Sequence, residues 1–200
     1  MCGDIKVAFN IMASLATNQE WIDGAFTETD TDYKIAGINV LYKNEKDYLV
    51  KGVELLCDKL SPKSVLEFGF GKGWTASEFQ RKGVARHVIL EPNAKVYETA
   101  LTWKNNYSTD IEILNVFSWD YNGGETFDLV YDDREPFKDD DDDVHFAKMK
   151  TILPKEQWYA FNCDIGCDNT VDVDYNHAIE FDLGGVKYSQ FLTKGYFGDH

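Results

Sequence analysis

The chain has 200 residues and a formal net charge of −15 at pH 7, because 35 acidic residues outnumber 20 basic ones. This length suits one domain with a sizeable core, and no apolar run reaches the roughly 18 residues of a membrane span. The acidic balance excludes nucleic acid and anionic membranes as partners, because phosphate binding requires a basic surface. A small, cationic molecule fits the charge better.

The first 48 residues are expected to form a segment that covers a binding site, ahead of a core over residues 49–200. Its apolar piece, Ile5–Ala16, follows Asp4 and contains Asn10, so it lacks the basic start and continuous apolar centre of a signal peptide. The four cysteines show no zinc-knuckle spacing, which predicts free thiols in a reducing compartment and no metal site. We therefore expect a cytoplasmic protein, as a monomer or a homodimer.

From residue 50 onward, short strand-like runs alternate with helical stretches. Helix-like spacing of apolar residues covers Tyr48–Leu60, Thr75–Lys82, Ala94–Asn105 and Val144–Leu153. Short apolar runs typical of buried strands cover Val65–Phe68, His87–Glu91, Ile111–Val116, Phe127–Tyr131 and Trp158–Cys163. This alternation predicts βαβ units, and hence a parallel sheet with helices on both faces.

The last part of the chain carries a hairpin signal. Two strand-like runs, Ala178–Leu183 and Val186–Thr193, flank Gly184-Gly185, which predicts an antiparallel hairpin. The sequence therefore predicts an α/β fold with a doubly wound, mostly parallel sheet that ends in an antiparallel hairpin. That is the Rossmann-like architecture of class I methyltransferases, in contrast to the dinucleotide-binding variant.

A glycine-rich turn follows the first predicted strand of the core. Gly69, Gly71 and Gly73 allow positive φ angles and bring backbone amides against a ligand, and Thr75 opens the next helix. Taken alone the pattern is weak, because such a turn is often only a tight connection.

Two acidic residues sharpen the interpretation of this turn. Glu67 precedes the first glycine by two positions, where a carboxylate favours a zwitterionic amino-acid ligand and repels a pyrophosphate. Glu91 ends the next predicted strand, about twenty residues after Gly71, the distance at which an acidic residue reaches both ribose hydroxyls. Together they favour an adenosyl ligand without phosphates.

An acidic pair follows the fourth predicted strand, in the run Tyr131-Asp132-Asp133. Ligands of parallel sheets bind at the carboxyl ends of the strands. We therefore expect Asp132 or Asp133 to face the reacting group.

These features stand inside three longer motifs. The first, Val65–Gly71, has Val-Leu-Glu before Gly-Phe-Gly. The second, His87–Asn93, has a His followed by apolar residues and Glu-x-Asn. The third, Phe127–Pro136, begins with a Phe-Asp strand and ends at a Pro. In these motifs the chain resembles the guanidinoacetate N-methyltransferase family. The likeness covers roughly residues 20–163 and 186–195.

The resemblance implies an S-adenosyl-L-methionine-dependent N-methyltransferase that converts guanidinoacetate to creatine. A guanidinium nitrogen becomes a nucleophile only after losing a proton, because its pKa exceeds about 12. One carboxylate can hold the planar group bidentately while a second accepts the proton as the N–CH3 bond forms. On the family pattern these catalytic carboxylates are Asp133 and Glu45.

Further binding residues follow from the same resemblance. For the cofactor they are Phe117 and Ser118, which would meet adenine, and Tyr131. For the substrate they are Phe26, Asp132, Ile165 and Gly166, the last two through backbone amides that would grip a carboxylate. Trp21 and Phe26 are candidates for an aromatic lid, whereas Trp74, Trp103, Trp119 and Trp158 are expected in the core.

The chain departs from the family pattern at two places. The family's Tyr before the substrate Asp is here Asp132, with Tyr131 one position earlier, so a one-residue shift in which Asp132 acts stays open. The stretch 164–176 is shorter than in the family and rich in poor helix formers. The last crossover helix is therefore expected to be shortened or absent.

Two other functions are also compatible with these sequence features. One is methylation of arginine or another amine, free or in a peptide or protein, because related enzymes share the cofactor motifs. The other is a catalytically silent adenosylmethionine-binding domain, which the shortened C-terminal half would allow. Retention of both Glu45 and Asp133 favours an enzyme over the silent domain.

Overall fold

The computed structural model describes residues 17–133, 158–162, 179–184 and 186–194. Helix α1 (Asn18–Asp23) leads into a three-stranded antiparallel sheet of β1 (Phe26–Glu28), β2 (Asp32–Ile35) and β3 (Ile38–Tyr42). Strands β2 and β3 are joined by Ala36 and Gly37, whose φ angles of 50° and 82° are those of a type I′ hairpin turn. The sequence patterns had not predicted strands in this part of the chain.

Helices and parallel strands then alternate. The helices are α2 (Lys46–Leu60), α3 (Trp74–Arg81) and α4 (Ala94–Lys104), with short 3₁₀ turns at Lys43–Glu45 and Ser118–Asp120. The strands are β4 (Ser64–Phe68), β5 (Arg86–Leu90), β6 (Asp110–Leu114), β7 (Leu129–Asp132), β8 (Trp158–Asn162), β9 (Ile179–Leu183) and β10 (Val186–Lys194).

The seven strands β4 to β10 form one sheet in the order β6-β5-β4-β7-β8-β10-β9. The first five pair in parallel, and β10 lies antiparallel between β8 and β9. The predicted mostly parallel sheet with a final antiparallel hairpin is confirmed. The predicted helix Val144–Leu153 and the segment 164–176 lie outside the described residues.

Alternating side chains of the central strands fill both sides of the sheet, as the period of two in a β-strand requires. Leu66 and Phe68 of β4 pack on one side with Val130, whereas Val65 packs on the other side with Phe79 of α3. Burial of the strands on both faces explains their nearly continuous apolar sequences.

A third cluster of buried side chains joins the N-terminal part to the sheet. Trp21 of α1 and Ile35 of β2 pack in one group with Ile89 of β5 and Val96 of α4. The small sheet is thereby fixed close to the carboxyl ends of the parallel strands. Within the part of the chain that is described, no helix has the length and apolar content needed to cross a membrane.

Candidate functional site

A cavity of about 570 Å3, measured with its open mouth, lies at the carboxyl ends of β4, β5 and β7. Its walls come from α1, the small sheet, the strand ends and the 3₁₀ turn after β6: Trp21, Ile35, Val40, Phe68, Gly69, Gly71, Leu90, Glu91, Pro92, Phe117, Ser118, Trp119 and Asp133. Two of these described residues are acidic and none is basic. The cavity therefore suits a cationic ligand and disfavours a phosphate group.

The glycine turn forms one wall of this cavity. The φ angles of Gly69, Gly71 and Gly73 are 83°, 53° and 67°, in the left-handed region that glycine adopts without strain. A Cβ atom on Gly71 would lie 3.6 Å from Leu41 Cδ2 of the small sheet. The turn thus presents backbone to the cavity, as a cradle for a ligand requires.

We expect Gly73→Ala to destabilise the protein and weaken cofactor binding. An added Cβ would lie 2.5 Å from Cζ of Phe70, and the positive φ would strain the alanine backbone by about 1 kcal/mol. The overlap adds at least about 1 kcal/mol, since Phe70 is packed in the core and has little room to move. Urea denaturation and titration with S-adenosylhomocysteine measure the two effects.

Gly83→Ala is the matched control for this substitution. Gly83 has a φ of 82°, but a Cβ there would meet nothing within 4 Å. It should therefore show the backbone cost of about 1 kcal/mol alone, with cofactor affinity unchanged. Equal losses of stability in the two variants would contradict a role for the Phe70 contact.

Glu91 lies directly after β5 and faces the cavity from a buried position. Its carboxylate accepts hydrogen bonds from the backbone amides of Phe70, at 2.9 Å, and Asn93, at 2.8 Å. Burial raises the pKa of this carboxyl to about 7, although bonds from backbone amides, including that of Gly71, oppose the shift. Since each carboxylate oxygen accepts two bonds, capacity remains for ribose hydroxyls.

The 3₁₀ turn after β6 supplies an aromatic wall. The rings of Phe117 and Trp119 stack at 4.7 Å with an interplanar angle of 7°, and Ser118 lies between them in the chain. All three line the cavity, which suits a planar heterocycle. Trp119 was expected in the core; it packs against the core from a half-buried position and lines the cavity as well.

The two aspartates at the end of β7 differ in their surroundings. Asp132 is buried and accepts a hydrogen bond from the hydroxyl of Tyr159 at 2.5 Å. Asp133 is half-buried and lines the cavity, and its backbone amide bonds to the Phe68 carbonyl at 3.3 Å. Of the pair, Asp133 is the one that lines the cavity.

Glu67, Thr75 and Tyr131, which the sequence placed among the cofactor-binding residues, lie beneath the cavity. Glu67 is fully buried, and one of its oxygens accepts a bond from the Thr75 hydroxyl at 2.5 Å. Its other oxygen lies 2.9 Å from Nε2 of His87. Tyr131 is buried against Phe79 of α3.

The remaining predicted residues lie outside the cavity lining or outside the described chain. Glu45 ends a 3₁₀ turn, where its carboxylate accepts a hydrogen bond from the Tyr42 amide at 2.7 Å. Phe26 stacks on Tyr33, with centroids 5.7 Å apart, and the Lys72 ammonium lies over both rings. Ile165 and Gly166 fall outside the described residues.

Two aliphatic wall residues, Ile35 and Val40, were not predicted from the sequence. They come from β2 and β3. Strand β2 has only four residues, which alternate polar and apolar side chains, whereas the largely apolar run Ile38–Tyr42 of β3 was an available strand signal. Asn93 was quoted only as part of a motif, yet it is fully buried and hydrogen-bonds to Glu91. The sequence did carry a signal for Asn93. It directly precedes a helix, and it follows by two positions Glu91, the acidic residue after a strand.

A family model described as guanidinoacetate N-methyltransferase matches residues 12–155, which confirms the resemblance seen in the motifs. No curated protein matches the chain in sequence.

Among solved structures, the chain is similar to N-methyltransferase NodS from Bradyrhizobium japonicum in complex with S-adenosyl-L-homocysteine. The TM-score is 0.57 at 12% identity, and the match covers 76% of this chain and 88% of that chain. The 1,6-didemethyltoxoflavin-N1-methyltransferase from Burkholderia thailandensis gives a TM-score of 0.51 and 12% identity, over 76% and 80%. At such identities the likeness concerns the fold, and it confirms the predicted Rossmann-like methyltransferase architecture.

Proposed function

The chain belongs to the guanidinoacetate N-methyltransferase family and is an S-adenosylmethionine-dependent N-methyltransferase, and we propose that its methyl acceptor is a small guanidino compound. Guanidinoacetate, which gives creatine, is the first candidate. The observation that carries the proposal is the charge of the cavity, where Glu91 and Asp133 are the charged residues of the described lining. A guanidinium suits such a site, because its planar group pairs with carboxylates.

The residues around the cavity fit the cofactor that the family implies. We assign ribose recognition to Glu91, adenine to the wall of Phe117 and Ser118, and the amino-acid end to the backbone of the Gly69–Gly73 turn. Bound there, S-adenosylmethionine supplies an electrophilic sulfonium methyl group. A buried carboxylate at the ribose position and the lack of basic described lining residues both support a ligand without phosphates.

Asp133 is assigned two tasks in the reaction. Its carboxylate holds the guanidinium by charge-assisted hydrogen bonds and accepts the proton that the attacking nitrogen must lose. Its place after β7, beside the carbonyl of Phe68, puts it at the carboxyl edge of the sheet next to the glycine turn. The protein otherwise contributes orientation and exclusion of water.

The deciding experiment is a turnover screen with labelled S-adenosylmethionine. The acceptors are guanidinoacetate, other guanidino acids, arginine, simple amines and an arginine-containing peptide. Highest turnover with a small guanidino acid supports the proposal. Preference for arginine, an amine or the peptide would replace it, and cofactor binding without any turnover would indicate a silent binding domain.

Glu45→Gln should lower turnover by roughly tenfold, less than the 10²-fold loss usual for a positioned acid or base. The Gln side chain keeps an oxygen for the Tyr42 amide, so the change removes the charge and leaves the local structure. Steady-state kcat with guanidinoacetate gives the effect, and S-adenosylhomocysteine affinity serves as the control. A kcat equal to that of the wild type would exclude Glu45 from catalysis.

A further inference from the structure

We infer that Asn93 is a positioning residue that couples cofactor binding at Glu91 to the docking of residues 17–42 onto the cavity. The inference rests on the cofactor site proposed above. It adds that the bound cofactor, through Glu91 and Asn93, stabilises the position of residues 17–42 over the cavity.

Asn93 is completely buried between Glu91 and helix α4. Its backbone amide donates to Oε1 of Glu91 at 2.8 Å. Its side-chain oxygen accepts bonds from the amides of Lys95 and Val96, at 3.1 and 3.0 Å, and so caps the first turn of α4.

The side-chain amide of Asn93 reaches across to the N-terminal segment. Nδ2 donates to the carbonyl of Trp21 at 2.7 Å and to that of Gly24 at 2.8 Å. These carbonyls lie at the end of α1, where the last turn of a helix has acceptors without helical partners. One side chain thus caps the end of α1 and the start of α4.

These contacts connect the two walls of the cavity. Trp21 lines the cavity from α1, and Glu91 lines it from the end of β5. A ligand that fixes the Glu91 carboxylate also fixes the Asn93 backbone bonded to it, and hence the amide that holds α1. The reverse follows from linkage, because docking of α1 must then favour the ligand by the same factor.

Asn93→Asp separates this link from the capping role. The aspartate keeps the cap oxygen and the backbone amide bonded to Glu91, but turns both donors to Trp21 and Gly24 into acceptors. Two carbonyls then face a carboxylate, which opposes docking of α1. Asn115→Asp is the matched control, since its amide donates to the carbonyls of Glu91 and Pro92, at 2.8 and 3.0 Å, and places the same added charge near Glu91.

The experiment is amide hydrogen exchange of the full chain, with and without saturating S-adenosylhomocysteine. In the wild type and in Asn115→Asp, the ligand should slow exchange in both residues 17–42 and residues 69–73. In Asn93→Asp the slowing should persist at 69–73 and disappear at 17–42. Titration should show an affinity lower than that of the control by about 5- to 150-fold, the usual range of coupling between sites.

Ligand-dependent slowing at 17–42 in Asn93→Asp would overturn the inference, as would wild-type protein that is protected at 69–73 alone. If S-adenosylhomocysteine does not bind the wild type, the proposed cofactor site fails instead. Should Asn93→Asp not fold, Asn93→Ser replaces it, because serine is a good helix cap that lacks the amide donors, and the same outcomes apply.

Discussion

Asp133→Asn should lower turnover of guanidinoacetate by about 10²- to 10⁴-fold, the range found on removal of a positioned acid or base. Asparagine keeps the size of the side chain, but loses the charge that holds a guanidinium and the capacity to accept its proton. Affinity for S-adenosylhomocysteine should barely change, because the assigned cofactor contacts lie on the glycine turn and Glu91. Single-turnover kinetics and calorimetric titration measure the two quantities separately.

Asp132→Asn is the control that tests the one-residue shift. Asparagine retains an oxygen for the hydroxyl of Tyr159, the partner of Asp132, so turnover close to the wild-type level is expected. An inactive Asp132→Asn beside an active Asp133→Asn would move the catalytic role by one position. Normal turnover in both variants would remove the guanidinium clamp from the mechanism.

Glu91→Ala should cost most of the cofactor affinity. Two ribose hydroxyls bonded to a charged acceptor contribute roughly 1.5–3 kcal/mol each, which corresponds to a loss of about 10²- to 10⁴-fold. The variant also leaves the amides of Phe70 and Asn93 without their acceptor, so folding is checked by circular dichroism. Titration of S-adenosylhomocysteine into a folded variant with wild-type affinity would refute the assignment.

The raised pKa of Glu91, about 7, adds a pH dependence to this prediction. Hydroxyl donors favour the ionised carboxylate, so cofactor binding lowers the pKa of the group and competes with its protonation. Affinity should therefore be constant above pH 7 and fall below it, approaching about tenfold per pH unit until the pKa of the bound form is reached. In Glu91→Gln the profile over this range should be flat.

The central sheet was predictable because its strands are buried on both faces. Runs such as Val65–Phe68 have almost no polar residues, and the observed strands β4 to β8 differ from the predicted ones by no more than two residues at either end. The small sheet gave a weaker signal, because only β3 (Ile38–Tyr42) is a largely apolar run. Its strand β1 is only Phe26-Thr27-Glu28, and its type I′ turn uses Ala36 where Asn or Asp is usual.

The lining of the cavity was easiest to predict where residues follow a strand directly. Gly69, Glu91 and Asp133 all line the cavity, because the carboxyl ends of parallel strands meet at one edge. Glu67 was placed by its distance from the glycines, whereas strand alternation puts it on the side of Val65, towards α3 and Thr75. Counting alternation along β4 indicates this orientation from sequence.

The position of β10 limits how the protein can fold as it emerges from a ribosome. Strand β8 pairs with β7 on one side and with β10 on the other. Strand β9 pairs only with β10 within the described sheet, so it cannot take the place of β10 beside β8. Until residue 194 has been synthesised, the backbone groups on that side of β8 have no strand partner. A nascent chain that lacks β10 would carry an open sheet edge, a known hazard for self-association.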